Sequence, residues 1–103
     1  DGVRVVNERP EAETSWFGVP IVCEDNNLKR SLVAYLEENK IQTRNYFAGN
    51  ILLHPGYRDL GKASDYPNAN QVLDKVFFLG CSPTIHEKML QYIEKVIGNY
   101  VSN

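Results

Sequence analysis

The stretch Thr-Arg-Asn-Tyr-Phe-Ala-Gly-Asn at residues 43–50 gathers residue types suited to holding a ligand. Arg44 carries a permanent cation. Its planar fork donates two parallel hydrogen bonds, which matches a phosphate or a carboxylate. Phe47, or Tyr46 beside it, offers a ring face that could stack on a sugar or a base. Asn50 and His54 extend this polar and aromatic cluster along one segment. Arg44, Phe47, Asn50 and His54 are therefore the candidate substrate-binding residues. Each also has a plainer reading. Arg44 serves equally well as a solvated strand residue. Asn50 after Gly49 is a common turn residue. His54 before Pro55 suits a histidine that bonds within its own loop.

The chain shows no self-contained active site. It has no G-x-S-x-G elbow and no cysteine matched to a histidine and an orienting acid. It has no P-loop and no G-x-G-x-x-G. Asp59 and Asp65 stand on a loop with nothing to mark them as an acid–base pair. No catalytic residue is assigned. Cys23 and Cys81 make no disulfide framework and read as the thiols of a cytoplasmic protein. Together with His54 and His86 they lack zinc-site spacing, so no metal ligand is assigned either.

Composition narrows the classes further. The net charge is −2 with no long run of either sign, which argues against nucleic acid or a membrane surface as partner. No apolar run approaches the roughly 20 residues that span a bilayer. No signal peptide is read. The chain starts at Asp1 rather than methionine, which points to a processed chain or an excised piece of a longer one.

The 103 residues, 43% hydrophobic, suit one domain with a modest core. Residues 1–14 read as a tail or linker with a short extended piece at Val3–Val6. Residues 15–23 form a strand apolar on both faces, with Phe17, Val19, Ile21 and Cys23 on one and Trp16, Gly18, Pro20 and Val22 on the other. Pro20 lacks a ladder donor, which places that strand at an edge. Residues 24–40 form a helix capped by Asn26 or Asn27, with Leu28, Leu32, Tyr35 and Leu36 inside. Lys29, Arg30, Glu37 and Glu38 then face solvent.

Residues 41–47 form a second strand. Alternation sets Ile41, Thr43, Asn45 and Phe47 on one face and Gln42, Arg44 and Tyr46 on the other. Residues 51–65 are irregular. Pro67 opens a short helix, 76–80 is a third strand, and the last helix starts at a Thr84–Glu87 capping box. Its stripe of Ile85, Met89, Ile93, Val96, Ile97 and Tyr100 places Met89 in the core. Three short strands and about three helices make an α+β (α/β) layer. The helices cover one face of the sheet and leave the other for a partner domain.

The segments "SWFGVPI", "LEENKIQTRNYFAGN" and "LGCSPTIHEKMLQYIEKVI" together resemble the C-terminal part of the DegT/DnrJ/EryC1/StrS family. These are pyridoxal-phosphate-dependent nucleotide-sugar aminotransferases and dehydratases. The resemblance spans residues 15–100, and the T-R-x-x-F-A-G-N segment is its most specific part. Phe47-Ala48-Gly49-Asn50 stands where related aminotransferases usually carry a Pro-Leu-His-like segment. That departure favours the CDP-4-dehydro-6-deoxyglucose 3-dehydrase branch of lipopolysaccharide O-antigen and deoxysugar biosynthesis.

The resemblance implies that residues 15–103 are the small C-terminal domain of a type I aminotransferase fold. A missing N-terminal large domain would bind pyridoxal or pyridoxamine phosphate, and this domain alone would be inactive. The implied parent is cytoplasmic and homodimeric. It removes the C3 hydroxyl of a CDP-linked 4-keto-6-deoxyhexose, in some members with a reductase partner and an iron–sulfur cluster. Cys23 and Cys81 do not resemble the cluster cysteines. Arg44 would reach the nucleotide-sugar substrate, and Asn50 would shape the same loop. Two other readings stand beside this one: a nucleotide-sugar aminotransferase domain, and a non-catalytic interaction module.

Overall fold

β-Branched and aromatic residues dominate the two apolar runs, and both become strands in the computed structural model, which describes residues 2–102. Strand β1 is Val3–Val5, β2 is Gly18–Cys23, β3 is Thr43–Asn45 and β4 is Val76–Gly80. They form one antiparallel sheet in the order β1-β2-β4-β3. Helix α1 is Asn26–Glu38, α2 is Pro67–Lys75 and α3 is Glu87–Ser102. The architecture is α+β, with four strands where three were expected. The extra strand comes from the extended piece near the N-terminus, which enters the sheet instead of trailing from it.

β2 is not an edge strand; it lies between β1 and β4. The Pro20 carbonyl accepts from the Val6 N–H, so the side of Pro20 that lacks a donor faces the point where β1 has ended. The missing hydrogen bond thus falls outside the β2–β4 ladder. This resolves the conflict between proline and a central position.

α1 is capped by Asp25, one residue before Asn26 and two before Asn27, the two caps expected. Its carboxylate accepts from the Leu28 N–H at 2.8 Å. The helix ends in a Schellman motif: the Ile41 N–H donates to the Leu36 carbonyl and the Lys40 N–H to the Glu37 carbonyl. Lys40 holds the left-handed position, φ 65°, that glycine usually takes there. Lys29, expected in solvent, is buried. Its ammonium donates to the Leu73 carbonyl at 2.7 Å and ties α1 to the end of α2.

The core lies between one sheet face and helices α1 and α3. Ile21, Cys23, Phe77 and Leu79 meet Leu32, Leu36, Ile41 and Val96 there. α3 reaches this core from Ile93 onward and not with its first turns. Thr84 does not cap it; the Thr84 hydroxyl pairs with the Ser82 hydroxyl, and the helix begins over the His86 carbonyl. Met89 is consequently not core but 47% exposed. Between β3 and α2 the irregular segment folds into three 3₁₀ turns, Ile51–Leu53, Arg58–Leu60 and Ala63–Asp65. Among the described residues, no helix is long and apolar enough to cross a membrane.

Candidate functional site

The second face of the sheet has no helix stacked over its centre. Pro20, Phe78 and Arg44 are paired neighbours across β2, β4 and β3, so their side chains share that face. Phe78 is its floor. Around it stand Phe17, Phe47 and Tyr46, with ring centroids 5.9, 5.8 and 6.1 Å from the Phe78 ring. Phe17 and Phe47 also touch each other, at 5.8 Å. These two outer rings are 75% and 65% exposed.

Strict alternation would send Phe17 and Phe47 to the core face. Neither goes there. Phe17 precedes the first paired residue of β2 and is free of its period. Phe47 follows β3 with a left-handed backbone, φ 54°, which turns its ring over Phe78. Its N–H closes a tight turn onto the Asn45 carbonyl at 2.7 Å. A non-glycine residue with such a φ is uncommon and marks a position that the surroundings hold in place.

Two of the grooves beside the resulting ridge meet at Arg44. The first, about 870 Å³, is lined by Trp16, Phe17, Arg44, Phe47, Phe78 and the β4–α3 connection at Cys81–Pro83. The Cys81 thiol donates to the Trp16 carbonyl at 3.2 Å and fastens one wall to the other. The second, about 680 Å³, runs between β3 and the start of α3, over Leu79, Ile85 and Met89. Arg44 borders both. Among the described residues its guanidinium has no ion pair; the one ion pair found there joins Arg9 to Glu11. A guanidinium without a carboxylate, set beside aromatic faces, can take an anion in two parallel hydrogen bonds.

The structure therefore brings Arg44 and Phe47 together. Asn50 plays another part. It is buried, and its side-chain oxygen accepts from the Leu52 N–H while its amide donates to the Asn70 side chain and the Ala63 carbonyl. Asn50 ties the loop to α2, and its polar atoms are spent on the fold. Gly49 is the reason it can sit so close: with φ 66°, a Cβ there would lie 2.7 Å from the Leu73 side chain. His54 is exposed, and its Nε2 meets the Ala48 carbonyl at 3.3 Å, the local bond that its plainer reading foresaw. It does not line the groove that holds Arg44 and Phe47.

Trp16, Phe17 and Phe78 were not among the candidate residues. The signal was present in the two strands apolar on both faces, which need a cover that the helices supply on one side only.

Charge elsewhere is settled by burial. Burial pushes the Lys29 ammonium below its usual range, with Cys23 and Asp74 pulling the other way. Burial pushes the Cys23 thiol up, against the attraction of Lys29. Neither residue lines either groove. Both cysteines are free thiols. Among the described residues no cluster of histidine, cysteine and carboxylate could hold a metal ion.

The pattern of the DegT/DnrJ/EryC1/StrS aminotransferase family matches residues 1–97. One relative, a dTDP-4-dehydro-2,6-dideoxy-D-glucose 3-dehydratase of Saccharopolyspora spinosa, is 32% identical over 97 residues, covering 90% of this chain and 21% of its own length. Another, the lipopolysaccharide biosynthesis protein RfbH of Salmonella typhimurium strain LT2, is 35% identical over 97 residues, covering 84% of this chain and 22% of its own length. The chain thus spans about a fifth of the length of the relatives it matches.

Proposed function

The chain belongs to the DegT/DnrJ/EryC1/StrS aminotransferase family, and from that premise we propose that it is the substrate-facing part of a nucleotide-sugar dehydratase. The reaction is removal of the C3 hydroxyl from a nucleotide-linked 4-keto-deoxyhexose. The Saccharopolyspora relative, by its name a 3-dehydratase of a dTDP-linked 4-keto sugar, supports C3 dehydration. The RfbH relative supports a place in lipopolysaccharide synthesis. The T-R-x-x-F-A-G-N segment supports the CDP-linked sugar.

The observation that carries the reading is Arg44 itself: a guanidinium with no ion pair among the described residues, at the rim of an aromatic groove on the sheet face opposite the core. In this role Arg44 takes the anionic end of the substrate, and Phe47 packs against its sugar or base. Asn50 holds the 46–54 loop in place, and His54 stands on the same loop. The exposed rings of Phe17 and Phe47 are then covered by the remainder of the enzyme and its substrate.

The family is in general pyridoxal-phosphate-dependent, and that cofactor acts as an electron sink when bound. The residues present do not fit it. The aromatic groove is lined by no lysine and by no carboxylate to meet a pyridinium nitrogen, and the groove between β3 and α3, though lined by Lys40 and Lys88, has no such carboxylate either. The buried amine of Lys29 is committed to the Leu73 carbonyl. The cofactor's seat is therefore assigned to other parts of the enzyme.

The test is turnover of CDP-linked and dTDP-linked 4-keto-6-deoxyglucose by the full-length enzyme, with the product read for loss of the C3 oxygen. Arg44→Ala should lower kcat/KM about ten- to a hundredfold, equivalent to about 1.5–3 kcal/mol of transition-state binding. Arg44→Lys should recover only part of this, because the fork is lost. Arg30→Ala, on the exposed side of α1, should be near neutral. An Arg44→Ala enzyme that behaves like Arg30→Ala removes Arg44 from the substrate. An amino sugar as sole product selects the aminotransferase reading instead.

A further inference from the structure

A nucleotide sugar joins its two halves through a doubly anionic diphosphate, and one arginine balances only half of that charge. The groove between β3 and α3 supplies the rest. Lys40 at the end of α1 and Lys88 in the first turn of α3 line it together with Arg44, and no carboxylate does. Its floor of Leu79, Ile85 and Met89 is apolar, so an anion seated there would be screened by water on one side only. Its volume of about 680 Å³ falls within the roughly 300–1,000 Å³ of small-molecule sites. The aromatic groove on the other flank of Arg44 has no second cation.

The backbone at Lys40 is a second, separate observation. Lys40 occupies the left-handed C′ position of the Schellman motif that ends α1. Glycine takes such a position without steric conflict, and a lysine there is strained. The backbone would be better served by the smaller residue, so the presence of a long cation points to a use for the side chain.

We infer that Lys40, Arg44 and Lys88 form the seat of the substrate's diphosphate, with the groove between β3 and α3, and not the aromatic groove, as its location. This rests on the nucleotide-sugar reading above and adds two binding residues to it. A docked peptide strand is the weaker use of this side of the sheet, because the outer edge of β3 is already blunted. The Thr43 N–H is taken by the Glu37 carboxylate at 2.8 Å and the Asn45 carbonyl by the Phe47 N–H.

The test is calorimetric titration of the full-length enzyme with CDP and, separately, with inorganic pyrophosphate. Lys40→Gly and Lys88→Ala should each weaken both probes about three- to tenfold, and both should flatten the dependence of affinity on salt. Lys95→Ala, a lysine of α3 outside the groove, should leave both affinities unchanged. Lys40→Gly should also keep or raise the melting temperature, since it relaxes the left-handed residue. Weaker binding by a protein that is no less stable is a result that a purely structural lysine cannot produce. If Arg44→Ala loses affinity while both lysine variants bind like the wild type, the diphosphate lies elsewhere and the inference fails, although the Arg44 reading stands. If Arg44→Ala also binds CDP like the wild type, the underlying reading fails and the inference falls with it.

Discussion

Phe77 and Phe78 are chain neighbours in one strand, yet they serve opposite faces of the sheet and opposite ends of the molecule's physics. Phe77 is 0% exposed and sits among Ile21, Leu32 and Leu36 under two helices. Phe78 is 7% exposed, almost as buried, but its cover consists of Phe17, Phe47 and Tyr46, which are themselves exposed. The first face is finished within this chain, and the second is not. A face closed by helices sets stability. A face closed by outward-facing rings around Arg44 leaves apolar surface exposed and adds less to stability. Burial of a single residue therefore does not tell the two apart; the exposure of the groups that bury it does.

Substitutions on the two faces should separate stability from binding. Phe77→Ala should be the most damaging, at about 3–5 kcal/mol of unfolding free energy, because it opens a cavity under packed helices. Phe17→Ala, at the exposed rim, should stay close to wild type in the same denaturant titration. Equal losses at the two sites would erase the distinction between the faces.

Gly18→Ala probes the open face from beneath. A Cβ there would lie 2.3 Å from the Phe78 ring, so the ring must shift. We expect about 1–3 kcal/mol of destabilisation from overpacking, together with altered Trp16 fluorescence, since Trp16 lines the same groove. An unshifted emission spectrum with full stability would mean that the ring has room to yield.

The smallest effect concerns the closed face at alkaline pH. Lys29 titrates below its usual 10.5 in the folded chain. Between that lowered value and 10.5 the unfolded state binds more protons, so the Lys29 contribution to stability rises with pH. Cys23 titrates above its usual 9.0, so its contribution falls as pH climbs past 9.0. The two oppose each other. Lys29→Met removes the rising part, so the wild type should gain on the variant as pH increases from 8 towards 10.5. Stability differences measured by denaturant titration at several pH values check this, and a constant difference would assign Lys29 no role in the alkaline limb.

Much of this was legible along the chain. The amino-acid order by itself determined β4 to the residue, both ends of α1 to within two residues, and the start of α2 at Pro67, because those signals are local: β-branched runs, a polar cap, a proline at a first turn. The order also determined that Arg44 would stand next to aromatic residues, and it carried the family resemblance. Periodicity says which residues share a face, but not which face will be covered or by what. Only the tertiary structure decided that Pro20 could sit in a central strand, since that depends on where β1 stops. Only it decided that Lys29 would be buried under the end of α2, that Met89 would face a groove because α3 meets the core only from Ile93 onward, and that Asn50 would be consumed by Asn70 and Ala63. Phe47 departs from its strand's alternation for the same kind of reason: a single left-handed residue, held by the rings of Phe17 and Phe78 from two other segments and of its neighbour Tyr46, outweighs a local period of two. Contacts between residues far apart in the chain set these outcomes, and no local pattern records them.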